Sequence, residues 1–151
     1  MNNLDDLDTR ILGALMADGR VTWSELASRC GVSSPAIAER VRRLEKRGIV
    51  QGYGVVVDPV QLGYDITAFV AVGLEHPQYR QEFLAYVQST SAVQECHHVA
   101  GDGDYLLKVR CGKMADLERI LSEEIKGLPG ILRTKTSIAL STVKETTVLA
   151  I

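Results

Sequence analysis

Apolar positions recur with a helical period at the start of the chain and with strand-like runs later, and the change falls at Gly48. Leu4, Leu7, Ile11 and Leu15 make a first helical stripe, with Asp5, Asp6 and Asp8 where negative charge suits a helix N-terminus. Thr22 stands three residues ahead of Glu25, the reciprocal capping arrangement, so a second helix is expected to start at Thr22. Its apolar residues Trp23, Leu26, Ala27 and Cys30 lead to Gly31, placed for a left-handed C-terminal cap. Ser33 or Ser34 can cap a third helix, and Pro35 is tolerated in its first turn, where the missing amide has no intrahelical partner. Ile37, Val41 and Leu44 give that helix one buried stripe. Two short helices joined by a glycine turn, the second of them basic, outline a helix-turn-helix DNA reader.

Beyond Gly48 the run Ile-Val-Gln-Gly-Tyr-Gly-Val-Val-Val-Asp-Pro is β-branched and punctuated by glycine, and reads as a strand ending at Pro59. The spacing then predicts strands over 66–74, 92–99, 105–111 and 131–140, with helices over 77–88 and 114–125. That βαββαβ order is the ferredoxin-like sandwich, one sheet with two helices on one face. The fold class is α+β: a helix-turn-helix domain at 1–50, a linker strand or hinge at 51–63, and a ferredoxin-like domain at 64–151. The uncovered face of the sheet needs a cover, and a second copy of the same sheet is the simplest one. Trp23 is expected in the core, and Tyr53, Tyr64 and Tyr105 in the core or at an interface.

Charge sharpens the picture. The chain has 151 residues, 46% of them hydrophobic, and a formal net charge of -2. Residues 1–50 carry eight Lys or Arg against seven acids, whereas residues 51–151 carry nine against twelve. Within 33–48, Arg40, Arg42, Arg43, Lys46 and Arg47 face only Glu39 and Glu45, so a DNA-binding role belongs to the first third. The same charges also suit an ordinary solvated helix face. The candidate DNA-binding set is Ser33, Ser34, Pro35, Ala36, Glu39, Arg40, Arg42, Arg43, Lys46 and Arg47. Of these, Ser34, Ala36 and Arg40 are placed to read base edges, and Arg42, Arg43, Lys46 and Arg47 to hold phosphates.

Other chemistry is sparse. Cys30, Cys96 and Cys111 are widely spaced, with no Cys-x-x-Cys pair, and read as reduced core or strand residues. Cys96-His97-His98 invites a metal reading, but a strand turns Cys96 and His98 to one face and His97 to the other, too few converging ligands for zinc. No metal and no cofactor is expected. No nucleophile elbow or phosphate loop occurs, so the chain is read as a non-enzyme. The acidic start Met-Asn-Asn-Leu-Asp-Asp is unlike a secretory signal and no long apolar run follows, which points to the cytoplasm and away from membranes. Gly101-Asp102-Gly103-Asp104 is open to two readings, a tight turn before a strand or a loop whose bared amides receive a carboxylate.

The segments Leu4-Asp5-x-x-Asp8-x-x-Ile11-Leu12, Glu25-Leu26-Ala27, Gly31-Val32-Ser33 and Arg40-Val41-x-x-Leu44-Glu45-x-x-Gly48-Ile49 occur in this order along the first third. Gln61-Leu62-Gly63-Tyr64, the stretch Gly101 to Val109, and Leu128-Pro129-Gly130-Ile131 leading to Thr134-x-Thr136 follow. In order and spacing the whole resembles the Lrp/AsnC (leucine-responsive and asparagine-regulator, feast/famine) family of transcription regulators. The resemblance implies a helix-turn-helix of winged type, a linking strand, and a ferredoxin-like domain for ligand sensing and assembly. It also implies homodimers assembling to octamers or similar rings on double-stranded DNA. An amino-acid effector is implied at Gly101, Asp102, Gly103, Asp104, Tyr105, Thr134 and Thr136, with Gly103 where the family usually carries a bulkier residue. The competing reading is a stand-alone amino-acid-binding module or small enzyme whose helical end contacts protein.

Overall fold

The computed structural model describes residues 4–151. They form two compact units, one of residues 4–56 with 144–151 and the other of 57–143.

The first unit is built from helices whose ends are set by their own side chains. Helix α1 (Asp6–Ala17) starts at Asp5, whose carboxylate accepts from the Asp8 amide at 2.8 Å while the Asp8 carboxylate accepts from the Asp5 amide. Helix α2 (Trp23–Cys30) starts at the expected Thr22–Glu25 box and ends at Gly31, which takes the left-handed conformation at φ 71°. Glycine adopts that conformation at no steric cost, and it lets the Gly31 and Val32 amides both reach the Ala27 carbonyl. Helix α3 (Ser34–Lys46) is capped by Ser33 and closes into Gly48, again left-handed at φ 69°. Ile11, Leu12, Val21, Leu26, Ala27, Ile37, Val41 and Leu44 fill the space between the helices.

Three expectations for this region are corrected. Trp23 is 38% exposed rather than in the core, because it is the first residue of α2 and faces outward there. Residues 51–58 join no sheet, since a strand needs a ladder partner and the described chain provides none to them. For the same reason no β-hairpin wing follows α3 among the described residues.

The second unit is a four-stranded sheet: β1 (Ile66–Leu74), β2 (Val93–His98), β3 (Tyr105–Cys111) and β4 (Ile131–Ile138). The strands lie in the order β2-β3-β1-β4 with every neighbour antiparallel, as a ferredoxin-like sandwich requires. Helix α4 (Arg80–Ser89) and helix α5 (Met114–Arg119, extended by a π-helical turn, Ile120–Ile125) cover one face. Phe83, Leu117, Ile120 and Ile125 pack there against Ala68, Val70, Val72, Tyr105, Leu107, Val109 and Cys111. Because side chains alternate along a strand, Phe69, Ala71, Leu106, Lys108, Arg133 and Lys135 fall on the other face. No helix of this unit covers that face, and Phe69 is 39% exposed on it. The last sheet residue is Ile138, and residues 144–151 group with the helical unit.

Candidate functional site

The buried stripe Ile37, Val41, Leu44 fixes which way α3 faces. Ser33, Pro35, Ala36, Glu39, Arg42, Arg43, Lys46 and Arg47 lie off that stripe, most of them exposed, and Ser34 sits at the first turn. The N-terminal turn therefore shows only small side chains, Ser33, Ser34, Pro35 and Ala36, which let backbone come close to a groove floor. Lysines and arginines follow along the outer surface, with Arg42 in an exposed pair with Glu39 at 3.3 Å. An exposed pair of this kind yields readily to a phosphate, because it is worth little in water.

Arg40 is different. Its guanidinium meets the Asp5 carboxylate at 2.5 Å and the Asp8 carboxylate at 3.1 Å. These contacts hold the Asp5 carboxyl below the ordinary carboxylate range, first through the Asp8 amide and then through Arg40, and raise the Arg40 pKa. A side chain tied back to α1 in this way is not extended toward a ligand. The charge pattern of the sequence carries no sign of this pairing, since the partners lie over thirty residues away. Tyr53 is a second contact outside the expected set: its hydroxyl donates to Glu45 Oε1 at 2.9 Å, and burial, then the glutamate, pushes its pKa up to about 12.

In the sheet unit, residues 99–104 form the hairpin between β2 and β3. The Asp104 amide donates to the Val72 carbonyl at 2.9 Å, and its carboxylate accepts from the Leu74 amide at 2.7 Å. Asp104 thus pins the hairpin to β1. Gly101 is open to solvent, whereas a Cβ on Gly103 would lie 3.2 Å from the Val72 carbonyl oxygen. Two cavities flank this hairpin. One of about 250 Å³ is lined by Leu74, His76, Arg80, His98, Asp104 and Tyr105 among others. The other, of about 110 Å³, is lined by Ala71, Gly73, Asp102, Gly103, Arg133 and Lys135.

Known proteins of this shape and sequence are regulators. The model of the AsnC-type helix-turn-helix domain matches residues 4–45, and that of the Lrp/AsnC ligand binding domain matches residues 67–149. The chain belongs to the Lrp/AsnC family. It is 40% identical over 151 residues to the leucine-responsive regulatory protein of Salmonella typhimurium, covering 99% of this chain and 92% of that one. A Neisseria meningitidis transcriptional regulator solved in complex with L-methionine superposes with a TM-score of 0.93 at 29% identity, covering 98% and 97% of the two chains. AsnC of Escherichia coli superposes at 0.90 with 33% identity over 97% and 98%. Like these relatives, the chain is a transcription regulator with a helix-turn-helix DNA-binding domain and a ligand-binding domain, not an enzyme.

Within this Lrp/AsnC fold the expected effector residues do not converge. Asp102 and Gly103 border the smaller cavity with Arg133 and Lys135. Thr134 and Thr136 pair with Val72 and Val70, whose side chains are buried under the helices, so both threonines lie on the helix-covered face, away from that cavity. Tyr105 is 3% exposed and packs between Phe83 and His98, a core position. Register explains the split: two threonines two residues apart share a face, but which face is set by pairing with β1, which sequence spacing does not contain. Cys96 and His98 share one face and His97 takes the other, as strand alternation predicts. Among the described residues no group of His, Cys, Asp or Glu is arranged to hold a metal, and no helix is long and apolar enough to cross a membrane.

Proposed function

We propose that this regulator binds double-stranded DNA in the cytoplasm as a homodimer, and that an amino acid bound at the hairpin of residues 99–104 changes that binding. The observation that carries the reading is the outward face of α3, small at its N-terminal turn and basic beyond it. Ser33, Ser34, Pro35 and Ala36 enter the major groove, with Ser34 and Ala36 reading base edges. Arg42, Arg43, Lys46 and Arg47 hold phosphates, and Glu39 keeps Arg42 in place until DNA displaces it. The domain boundaries at 1–50, 51–63 and 64–151 serve as functional limits for reader, hinge and sensor.

Dimerisation through the uncovered sheet face is supported by Phe69, Ala71 and Leu106, apolar side chains that a second sheet would remove from water. Val55 and Val56, 87% and 95% exposed, likewise suit a strand awaiting a ladder partner. Dimers then assemble to an octamer or similar ring. The effector class follows from two relatives solved with L-methionine, the meningococcal regulator and a Mycobacterium tuberculosis feast or famine regulatory protein 39% identical to this chain. Gly101, Asp102 and Gly103 offer unobstructed amides to a carboxylate, and Asp104 and Tyr105 hold the hairpin in place. Coupling of effector and DNA is then a linkage between two sites.

The test is fluorescence anisotropy with a duplex enriched from a random pool by the protein itself and with its scrambled counterpart, at several salt concentrations. Preferential binding is expected, with log K falling by roughly 0.9 per phosphate contact for each unit of log salt. Equal, weak binding to both duplexes would reject the reading.

A further inference from the structure

We infer that Arg40 is a positioning residue for DNA recognition: clamped by Asp5 and Asp8, it sets the angle of the recognition helix instead of touching DNA. The inference rests on the DNA-binding reading above and changes which residues of α3 perform it. Arg40 Nη1 bridges two carboxylates from the start of α1, 2.5 Å from Asp5 Oδ2 and 3.1 Å from Asp8 Oδ1. Asp8 is 3% exposed, so its charge is met by protein rather than water, and Arg40 is the cation that meets it. Pulling Arg40 away to reach a phosphate would leave a buried carboxylate without its cation, which is strongly unfavourable.

The same two aspartates form the cap of α1, each accepting from the other's amide. One motif therefore both starts α1 and grips α3 midway along its length. At the other contact of α1, the Arg10 guanidinium donates to the Arg29 carbonyl near the end of α2. Helix α1 is thus a strut with a polar tie to each helix of the reader. Apolar packing between helices tolerates small rotations, whereas a guanidinium held by two fixed oxygens does not, and base-edge readout requires side chains placed within a fraction of an ångström.

The sign of one substitution separates this role from direct contact. Asp8→Asn removes a negative charge from a protein that binds a polyanion, so on charge alone it strengthens DNA binding. If the clamp orients α3, it weakens binding to the enriched duplex. The experiment compares the native chain with Asp8→Asn, Asp5→Asn, Arg40→Gln and the double variant Asp8→Asn/Arg40→Gln, by anisotropy on the enriched and scrambled duplexes across salt. Asparagine remains a good N-cap, so Asp5→Asn keeps α1 intact while removing its charge from Arg40.

The expected result is about a five- to tenfold loss for Arg40→Gln and for Asp8→Asn on the enriched duplex, little change on the scrambled one, and a double variant no worse than the poorer single. The slope of log K against log salt should stay at the native value for all four variants. Stoichiometric titration gives the active fraction, so partial unfolding, which reduces both duplexes alike, is told apart from lost discrimination. Unchanged or tighter binding by Asp8→Asn, with a slope reduced by about one unit in Arg40→Gln, would overturn the inference and make Arg40 a phosphate contact. Failure of the native chain to prefer its enriched duplex would instead reject the DNA reading itself.

Discussion

Both units hold basic side chains against acids, and Arg40 and Lys108 are held in opposite ways. In the helical unit Arg40 is gripped by Asp5 and Asp8 from another helix, while Arg42, Arg43, Lys46 and Arg47 remain on the outer surface of α3. In the sheet unit Lys108, only 9% exposed, meets Glu95 at 2.9 Å across adjacent strands, on a face that also carries Phe69, Ala71 and Leu106. One arrangement fixes a helix and leaves other cations at the surface, where a polyanion can reach them. The other neutralises a cation in the middle of a face suited to meeting another protein surface. Local charge counts therefore do not identify the groups available to a partner; the tertiary partner of each charge does.

The contrast can be broken most forcefully at the cores. Phe83→Ala should destabilise the sheet unit by about 3–5 kcal/mol, since Phe83 is 1% exposed and packs on Tyr105. Leu44→Ala should cost the helical unit about 2–5 kcal/mol. Calorimetry checks both, and the two substitutions should act on different thermal transitions if the units have separate cores. A single transition moved equally by both would show that they unfold together.

Next in size is the cap of α2. Thr22→Ala removes the hydroxyl that accepts from the Glu25 amide at 3.2 Å, and should lower the stability of the helical unit by about 0.5–2 kcal/mol in urea unfolding. No comparable effect is expected in the sheet unit, where strand registers set the sheet and the carboxylate cap of α5 is a separate one, Asp116 accepting from the Lys113 amide at 3.1 Å.

That asymmetry also explains how much of the molecule is legible in the chain alone. Caps and glycine turns act within a few residues, so Thr22–Glu25, Gly31 and Ser33 are enough to place α2 and α3. In the second unit the strands are plain from apolar runs, β1 and β3 above all. Pairing is not: the register Val72↔Thr134 turns the threonines toward the helices, away from Asp102 and Gly103. Arg40 is legible as basic but not as bound, and the run 51–58 is legible as strand-forming but not as unpaired. In each case what decides is a partner distant in sequence, or the lack of one among the described residues.

Titration probes the sheet unit further, with smaller effects. Lys108, then His97, hold the Glu95 carboxyl below its ordinary range, so the stability it confers is present above pH about 4.5 and fades as pH falls through the lower folded value. Glu95→Gln should flatten that acid limb of the sheet unit's melting temperature while leaving neutral-pH stability changed by about 1 kcal/mol or less, because Glu95 is half exposed. At the alkaline end, burial, then Glu124, raises the Tyr86 pKa to about 12. The neutral phenol is favoured in the fold, so its contribution is intact below pH about 10 and lost as pH approaches about 12. Tyr86→Phe should remove that alkaline loss; an unchanged profile would assign it elsewhere.

Coupling of DNA and an amino acid through this one chain is open to a reciprocal titration. Each amino acid in turn, beginning with L-methionine and L-leucine, is titrated into the protein with and without the enriched duplex, and the duplex is titrated with and without that amino acid. At least one amino acid should change DNA affinity, and DNA should change the affinity for that amino acid by the same factor. Saturable amino-acid binding that leaves DNA affinity untouched, or DNA binding indifferent to every amino acid, would contradict the coupling.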